Sequence, residues 1–243
     1  MLELVNFSLQ AHREETIKNL KAMNLTCLIG LNGSGKTTLL RAIAGIHKDF
    51  SGQVLFNGAP LEKPLHLRAK TVAWCPDQMD IPSSYRVMDI LLLGRYPIHQ
   101  GYPSQADILA SRDLLSDLDA IHLETKYITE ISAGERQKVM VARSLNQETP
   151  FLLLDEPTAH LDLKATQTIM NVLKKASATK TLLIAMHDLR LAWHFSDHIW
   201  LMNDLNVIAQ GQAQTIMTEE RLSLLYETRL EIHSRFGPQP FYK

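Results

Sequence analysis

A glycine-rich segment near the start of the chain carries the residue types that bind phosphate. It follows the apolar run Leu25–Ile29 and precedes Leu39–Ala44, which has the composition of a helix. Glycines allow backbone N–H groups to converge on phosphate oxygens, a lysine can reach the β- and γ-phosphates, and a threonine hydroxyl can ligate Mg²⁺. A chance match arises in about one chain per hundred of this length. The predicted nucleotide-binding residues are Asn32, Gly33, Ser34, Gly35, Lys36, Thr37 and Thr38.

Two acidic residues directly follow the apolar run Phe151–Leu154. Ligands of open α/β sheets bind at the carboxyl ends of the strands, so Asp155 is placed to hold Mg²⁺ through water and Glu156 to polarise an attacking water. A buried strand that simply enters a turn has the same pattern, and taken alone the two interpretations are about equally favoured. The glycine-rich segment favours the first, and we predict a site that hydrolyses a nucleoside triphosphate.

A third segment, Ile131–Gln137, combines small and polar residues just before a predicted helix. Small residues at a helix start expose N–H donors at the positive end of the helix dipole, which suits a phosphate. Propensity alone favours a plainer interpretation, in which Ser132 is an ordinary helix cap beside a turn that contains Gly134.

Short apolar runs alternate with helical patterns, which is typical of a parallel sheet with helices packed on it and predicts an α/β fold. Residues 79–148 contain no strand-like run, and Ser104 there is suited to cap a helix. We therefore predict one domain, 1–243, with a core of residues 1–78 and 149–243 and an inserted helical subdomain at 79–148. The predicted buried strands are Leu25–Ile29, Thr71–Cys75, Phe151–Leu154 and Thr181–Met186.

Local signals define two further elements. The runs His198–Met202 and Val207–Ala209 flank residues that favour turns, which predicts a hairpin, and Thr218 is suited to begin a short helix.

Composition narrows the class of protein. The 25 basic and 26 acidic residues leave a net charge of -1, so no general attraction to nucleic acid or anionic lipid is expected. Cys27 and Cys75 lie in apolar runs, which indicates buried free thiols rather than a disulfide framework. The sequence shows no secretory signal and no apolar run near the ~20 residues that span a bilayer, so we expect a cytoplasmic protein.

The order of these segments resembles the nucleotide-binding subunit of ATP-binding cassette (ABC) transporters. The phosphate loop is followed by Gln78 after a strand, a helical insertion, the Ser132–Glu135 segment, the acidic pair with Pro157, and a strand that ends at His187. The resemblance covers about residues 20–215. It implies a P-loop NTPase core of ABC type with an N-terminal antiparallel β portion and an inserted α-helical subdomain.

The resemblance also implies roles for single residues. Gln78 matches the glutamine that contacts Mg²⁺ or water and reports to the membrane partner, and His187 matches the histidine that touches the γ-phosphate. Asp162 matches the aspartate of the D-loop. The family signature, which binds the γ-phosphate of the ATP held by the opposite subunit, corresponds to Ser132, Ala133, Gly134 and Glu135, with Ala133 in place of the commoner glycine.

The resemblance implies ATP and Mg²⁺ as cofactors, a second copy of the chain as partner, and an integral-membrane permease dimer driven through the insertion near Gln78 and Arg95. A secreted substrate-binding protein would act indirectly, and no nucleic acid is expected. The subunit would then be peripheral on the cytoplasmic face of the inner membrane.

Two segments indicate a subfamily. Val87–Pro97 and His160–Lys164 resemble importers of iron complexes, namely siderophores and haem, and of cobalamin. The alternative is a soluble ABC-type ATPase that acts on ribosomes or DNA. Such proteins usually carry two cassettes or a long coiled coil, and neither is evident in this sequence.

One expected feature is missing. The family usually places an aromatic residue about two dozen positions before the phosphate loop, where it stacks on adenine. The segment Asn6–Asn24 offers no clear equivalent, since its nearest aromatic residue, Phe7, has the surroundings of a strand core residue.

Overall fold

The computed structural model describes residues 1–9, 19–98, 102–233, 235 and 237–240. Within these ranges the strands are β1 (Leu2–Ser8), β2 (Leu20–Ala22), β3 (Leu25–Ile29), β4 (Ser51–Phe56), β5 (Ala59–Pro60), β6 (Val72–Cys75), β7 (Phe151–Asp155), β8 (Thr181–Ala185), β9 (His198–Asn203), β10 (Asn206–Gly211), β11 (Leu230–His233) and β12 (Gly237–Pro240). The α-helices are α1 (Lys36–Ala44), α2 (Leu65–Arg68), α3 (Val87–Arg95), α4 (Gln105–Asp117), α5 (Ala133–Asn146), α6 (Leu163–Ala176), α7 (Leu189–Phe195), α8 (Ala213–Ile216) and α9 (Glu219–Tyr226).

The chain divides into two compact units. The first unit comprises residues 1–61 and 181–243, and the second unit comprises residues 62–180. The predicted subdomain boundaries at 78/79 and 148/149 divide the chain differently, and they stay a prediction.

The described part of the first unit contains three groups of strands. One antiparallel sheet has the order β2-β1-β4-β5, a second group has the order β10-β9-β3-β8, and β11 pairs antiparallel with β12. Strand β3 is parallel to both β8 and β9. All five residues of β3 are buried, because the strand is packed on both faces. Four of them are apolar, and the hydroxyl of the fifth, Thr26, donates to the Met23 carbonyl oxygen at 3.0 Å. The antiparallel portion near the N-terminus agrees with the expectation from the resemblance.

The predicted hairpin in the first unit is confirmed as β9 and β10, which pair antiparallel. Asp204 and Leu205 form its turn with φ values of 41° and 66°. Left-handed conformations at both central positions match the right-handed twist of the flanking strands. Leucine rarely adopts this conformation, so another contact must hold Leu205 there.

The second unit contains the parallel pair β6 and β7, in which Val72 lies opposite Phe151. The described part of 79–148 is occupied by α3, α4, α5 and two 3₁₀ turns, Ile121–Leu123 and Ile128–Glu130. Helix α4 begins at Ser104 as predicted, since its hydroxyl accepts the N–H of Asp107 while the Asp107 carboxylate accepts the N–H of Ser104.

The four predicted buried strands are present, with small differences at their ends. Strand β6 begins at Val72 rather than Thr71, and β8 ends at Ala185 rather than Met186. Cys27 and Cys75 are free and buried, and burial raises the pKa of Cys75 to about 11. Among the described residues, the helices are too short or too polar to cross a membrane.

Candidate nucleotide-binding site

The phosphate loop of the first unit connects β3 to α1. Gly35 precedes α1 in the left-handed conformation, with φ 96°, and no side chain among the described residues caps this helix start. The first N–H groups of a helix lack partners within the helix, so an uncapped start presents them to an anion. The loop therefore has the geometry of the phosphate site that the sequence predicts.

Two glycines of this loop lie against the β9–β10 hairpin. A Cβ atom at Gly35 would collide with Leu205 Cδ2, and one at Gly30 would collide with the Met202 carbonyl oxygen. The N–H of Leu205 donates to the Ser34 carbonyl oxygen at 2.9 Å. This hydrogen bond and the packing on Gly35 hold Leu205 in its left-handed conformation. They also fix the phosphate loop against the β9–β10 hairpin.

Lys36 lies at the start of α1 with its side chain folded over the loop. It is 6% exposed, and its Nζ donates to the carbonyl oxygens of Gly30 at 2.9 Å and Leu31 at 3.1 Å. These carbonyl groups keep the ammonium group at the loop. Thr37 and Thr38 follow in the first helical turn and are partly exposed, whereas Asn32 and Gly33 are exposed and Ser34 is buried.

His187 lies at the same edge of the first unit as the phosphate loop. It follows β8, which is the parallel neighbour of β3, and the segments after parallel neighbours leave the sheet at one edge. The His187 side chain is exposed. Asp188 begins α7 and accepts the N–H groups of Arg190 and Leu191 at 2.8 and 3.1 Å, which fixes the backbone next to His187.

The acidic pair lies at the end of β7 in the second unit. Asp155 is the last residue of the strand rather than the first after it, and it is 2% exposed. Glu156 follows with φ 51°, a left-handed conformation that is uncommon for glutamate and that clusters at functional sites. Gln78 follows the parallel neighbour β6 and is exposed, so it leaves at the same edge as the two acids.

Cys75 reports on the charge at this edge. Burial is the main cause of its raised pKa, and the negative charges of Asp155 and Asp77 raise it further.

Ser132 caps α5, as the plainer interpretation predicted. Its hydroxyl accepts the N–H of Glu135 at 3.3 Å, and the Glu135 carboxylate accepts both the N–H and the hydroxyl of Ser132 at 2.8 Å. These hydrogen bonds from Ser132, first from its N–H and then from its hydroxyl, lower the pKa of Glu135. Ser132 and Ala133 are exposed and Gly134 is half-buried, so this helix start is open to a ligand from outside the chain.

Asp162 is also a helix cap, since its carboxylate accepts the N–H of Ala165 at 2.7 Å at the start of α6. A cleft of ≈ 460 Å³ in the second unit is lined by three segments for which the sequence predicts a function. They are the segments around Gln78, around Ala133 and just before Asp162. The lining of the cleft includes Gln78, Ala133, Arg136, His160 and Leu161. Asp162 itself follows the last of these residues in sequence.

Sequence reasoning missed residues that contact the phosphate loop, among them Leu205 and Tyr226. Tyr226 belongs to α9, and its hydroxyl lies near the backbone of Gly30. Burial raises the pKa of Tyr226 to about 12. Both residues are far from the loop in sequence, so no local pattern reveals the contacts.

The structure also bears on the missing adenine contact. Phe7 is 0% exposed and stacks on Phe50 with ring centroids 5.1 Å apart, which confirms that it is a core residue. His12, which lies in the same segment Asn6–Asn24 and is a further candidate for a base contact, is outside the described residues.

Comparison with known proteins agrees with this geometry. The family model described as ABC transporter matches residues 17–159. The achromobactin transport ATP-binding protein CbrD of Dickeya dadantii is 31% identical over 223 residues, which cover 90% of this chain and 81% of that protein. The hemin import ATP-binding protein HmuV of Shewanella denitrificans is 28% identical over 253 residues, with 99% of each chain covered.

A solved structure extends the comparison to the fold. It is described as an inward-facing conformation of a metal-chelate type ABC transporter, and it matches with a TM-score of 0.82 at 24% identity, over 99% of this chain and 97% of that one. The predicted fold class, an α/β nucleotide-binding core with an antiparallel β portion and added helices, is thereby confirmed.

Proposed function

This chain belongs to the ABC transporter family as an ATP-hydrolysing subunit, and from that premise we propose that it powers the import of a metal chelate. The uncapped start of α1, with Lys36 folded over the loop, is the observation that carries the nucleotide site. The names of the achromobactin and hemin relatives support the class of cargo, together with the Val87–Pro97 and His160–Lys164 segments. Siderophore, haem and cobalamin complexes are the candidates.

The phosphate loop binds the ATP phosphates through its backbone N–H groups and Lys36. Thr37, Asp155 and Gln78 carry hydroxyl, carboxylate and amide oxygens, the donors that Mg²⁺ prefers. Bound there, Mg²⁺ would neutralise part of the negative charge of the triphosphate. The position of Asp155 at the carboxyl end of β7 supports this assignment, because ligands of parallel sheets bind at that end of the strands.

Glu156 orients the attacking water toward the γ-phosphate and accepts a proton from this water. His187 and Lys36 donate to the γ-phosphate oxygens, where negative charge must be stabilised as the bond to the leaving oxygen lengthens. The left-handed backbone at Glu156 supports this role. It gives the Glu156 side chain a different direction from the one it would have if the buried strand β7 continued.

A second copy of the chain completes each site. In this arrangement two chains pair head to tail, and each ATP lies between the Lys36 loop of one and the Ser132–Gly134 segment of the other, with Asp162 nearby. The open start of α5 supports this, since Ser132 and Ala133 face solvent in a single chain.

A groove in the second unit is the proposed contact for a permease. It measures ≈ 360 Å³ and is lined by Tyr85, Asp89, Leu92, Leu93 and Tyr96 among others, with Tyr96 72% exposed. Exposed apolar side chains around a groove are typical of a protein interface. Arg95, near which the contact was predicted, also lines this groove. It is buried and paired with Asp107, so its exposed neighbours would carry most of the interaction.

Docking on a permease would hold the subunit at the cytoplasmic face of the inner membrane, with a secreted substrate-binding protein acting on the far side. No nucleic acid takes part. Neither relative reported above is named for an action on ribosomes or DNA, so that alternative gains nothing from the comparisons.

Uptake by cells that lack the gene tests the cargo. We expect the uptake of one labelled class among ferric siderophores, haem and cobalamin to fall, and to return with the wild-type chain but not with Lys36→Ala. Unchanged uptake of all three classes would contradict the proposed import of metal chelates.

A further inference from the structure

Helix α5 connects Ser132–Gly134, the segment proposed to meet ATP, to a buried polar cluster. Its 14 residues run from Ala133 to Asn146, a length of about 20 Å. Ser132 precedes its exposed start, and the residues of its last turns are buried.

Asn146 anchors the end of this helix to two others. It is 1% exposed, and its Nδ2 donates to the Leu91 carbonyl oxygen of α3 at 2.8 Å and to Ser111 Oγ of α4 at 2.9 Å. Its own carbonyl oxygen accepts Arg95 Nη1 at 3.1 Å. A cation at the end of a helix stabilises carbonyl groups that lack partners within the helix.

Arg95 joins the same cluster to acidic groups. Its Nε donates to Asp107 at 2.8 Å, and its Nη1 lies 2.6 Å from Glu148. Burial disfavours its charge, but the hydrogen bonds to Glu148 and Asp107 offset this and raise its pKa. Hydrogen bonds from Ser104, with the Arg95 guanidinium, hold the pKa of Asp107 well below its usual range, so both groups are charged at neutral pH.

Hydrogen bonds also join the end of α5 to β6 and to the residues just before β6. Arg143 Nη2 donates to the Trp74 carbonyl oxygen at 3.0 Å, and Gln147 Nε2 donates to the Ala69 carbonyl oxygen at 2.6 Å. A Cβ atom at Gly94 would collide with the Arg143 carbonyl oxygen, so α3 and α5 touch backbone to backbone.

The start of α5 has weaker ties. Arg136 Nη2 donates to the Ile128 carbonyl oxygen at 3.3 Å, and the exposed His122 lies 3.4 Å from Glu135. The helix is therefore held firmly at its end and loosely at its start. A rotation of about 3° around the end would move Ser132 by about 1 Å over the helix length.

We propose that Arg95 and Asn146 are positioning residues for ATP hydrolysis, because they fix the direction in which α5 presents Ser132–Gly134. The inference rests on the proposed function, in which this segment meets the ATP of a second copy. A displacement of about 1 Å at a reacting centre costs up to about 100-fold in rate. Neither residue touches ATP in this account.

The test uses Asn146→Leu and Arg95→Lys in the full chain. Leucine matches the size of asparagine without its hydrogen bonds, and lysine keeps the charge but not the donors for Asp107, Glu148 and Asn146 together. Arg112→Lys is the matched control, since Arg112 also pairs with a carboxylate of the same unit, Glu124, but is exposed and takes no part in the Arg95–Asn146 hydrogen bonds. MgATP affinity of the monomer, ATP-driven dimerisation in a Glu156→Gln parent, and kcat and KM are measured, with thermal unfolding to show folding.

We expect the MgATP affinity of both variants to lie within about twofold of that of the chain without the substitution. Their KM should change by less than about threefold. Their kcat should fall about 10- to 100-fold, and dimerisation should need at least about 10-fold more protein, whereas the control is unchanged. If Asn146→Leu does not fold, Arg95→Lys decides the outcome.

Parent-like kcat and dimerisation would overturn the inference, as would a loss of MgATP affinity as large as the loss of kcat. A Glu156→Gln parent that fails to dimerise with ATP would instead contradict the proposed function itself.

Discussion

Two separate requirements favour glycine in the phosphate loop, a left-handed backbone and close packing against another element. Gly33 and Gly35 have φ values of 79° and 96°, which favour glycine. Only Gly35 also lies against another element, because a Cβ atom there would collide with Leu205, whereas nothing lies within 4 Å of one at Gly33. The two positions therefore separate backbone strain from crowding.

We expect Gly33→Ala to lower the free energy of unfolding by about 1–2 kcal/mol, the usual cost of a left-handed alanine. Gly35→Ala should cost at least about 1 kcal/mol more and should also weaken ATP binding, since the collision displaces the loop. Urea denaturation and equilibrium ATP binding measure both effects. Equal losses at the two positions would show that the Leu205 contact has no influence on the loop.

Base recognition is the second question at this scale. Phe7 is buried, and the contacts proposed for the strong motifs are with phosphate or Mg²⁺, which do not distinguish one nucleoside triphosphate from another. Stacking of a base on an aromatic side chain is worth roughly 1–3 kcal/mol, so its absence predicts weak discrimination between ATP and GTP. We expect kcat/KM values within about tenfold, which is ~1.4 kcal/mol. A larger preference for ATP would indicate another contact, for which His12 is a candidate.

Helix α5 is the element whose start has two interpretations. Ser132 is a helix cap in the structure, and the proposed function adds a role at the ATP of a second copy. Ser132→Arg would block that ATP by its bulk, so monomer binding of MgATP should stay within about twofold while ATP-driven dimerisation is lost. Ser132→Ala removes only the cap and should cost about 1 kcal/mol of stability.

Nucleotide binding and analytical ultracentrifugation distinguish these outcomes. A loss of monomer binding comparable to that of Lys36→Ala would show that Ser132 acts within its own chain. Dimerisation of Ser132→Arg at the parent's protein concentration would leave the helix cap as its role.

Elements with a local signal were predictable. Strand β3 is apolar at every position except Thr26, and α4 begins at a reciprocal Ser104–Asp107 cap, so composition and spacing suffice for both. The end of β7 was placed one residue early, because a charged Asp155 argues against a strand although the sheet accommodates it. The Arg95 cluster and the Leu205 contact depend on residues distant in sequence, and one sequence holds no signal for such pairs.

The whole molecule places the predicted site residues in two compact units. The first unit carries the phosphate loop and His187, and the second carries Gln78, the acidic pair, Ser132 and Asp162. Sequence reasoning combined the phosphate loop with the acidic pair, and the resemblance added Gln78, Ser132, Asp162 and His187 to the same reaction, because spacing along the chain does not specify distance in space. Their joint action on ATP, completed by a second copy, is the central claim of the proposed function.

Phosphate release by Glu156→Gln tests this claim most directly. Glutamine keeps the shape of the side chain but cannot accept the proton of the attacking water, so we expect MgATP binding to persist while turnover falls at least about 100-fold. Glu62→Gln, at an exposed carboxylate of the same unit, should hydrolyse ATP like the wild type. Hydrolysis by Glu156→Gln at a rate near that of the wild type would contradict the account.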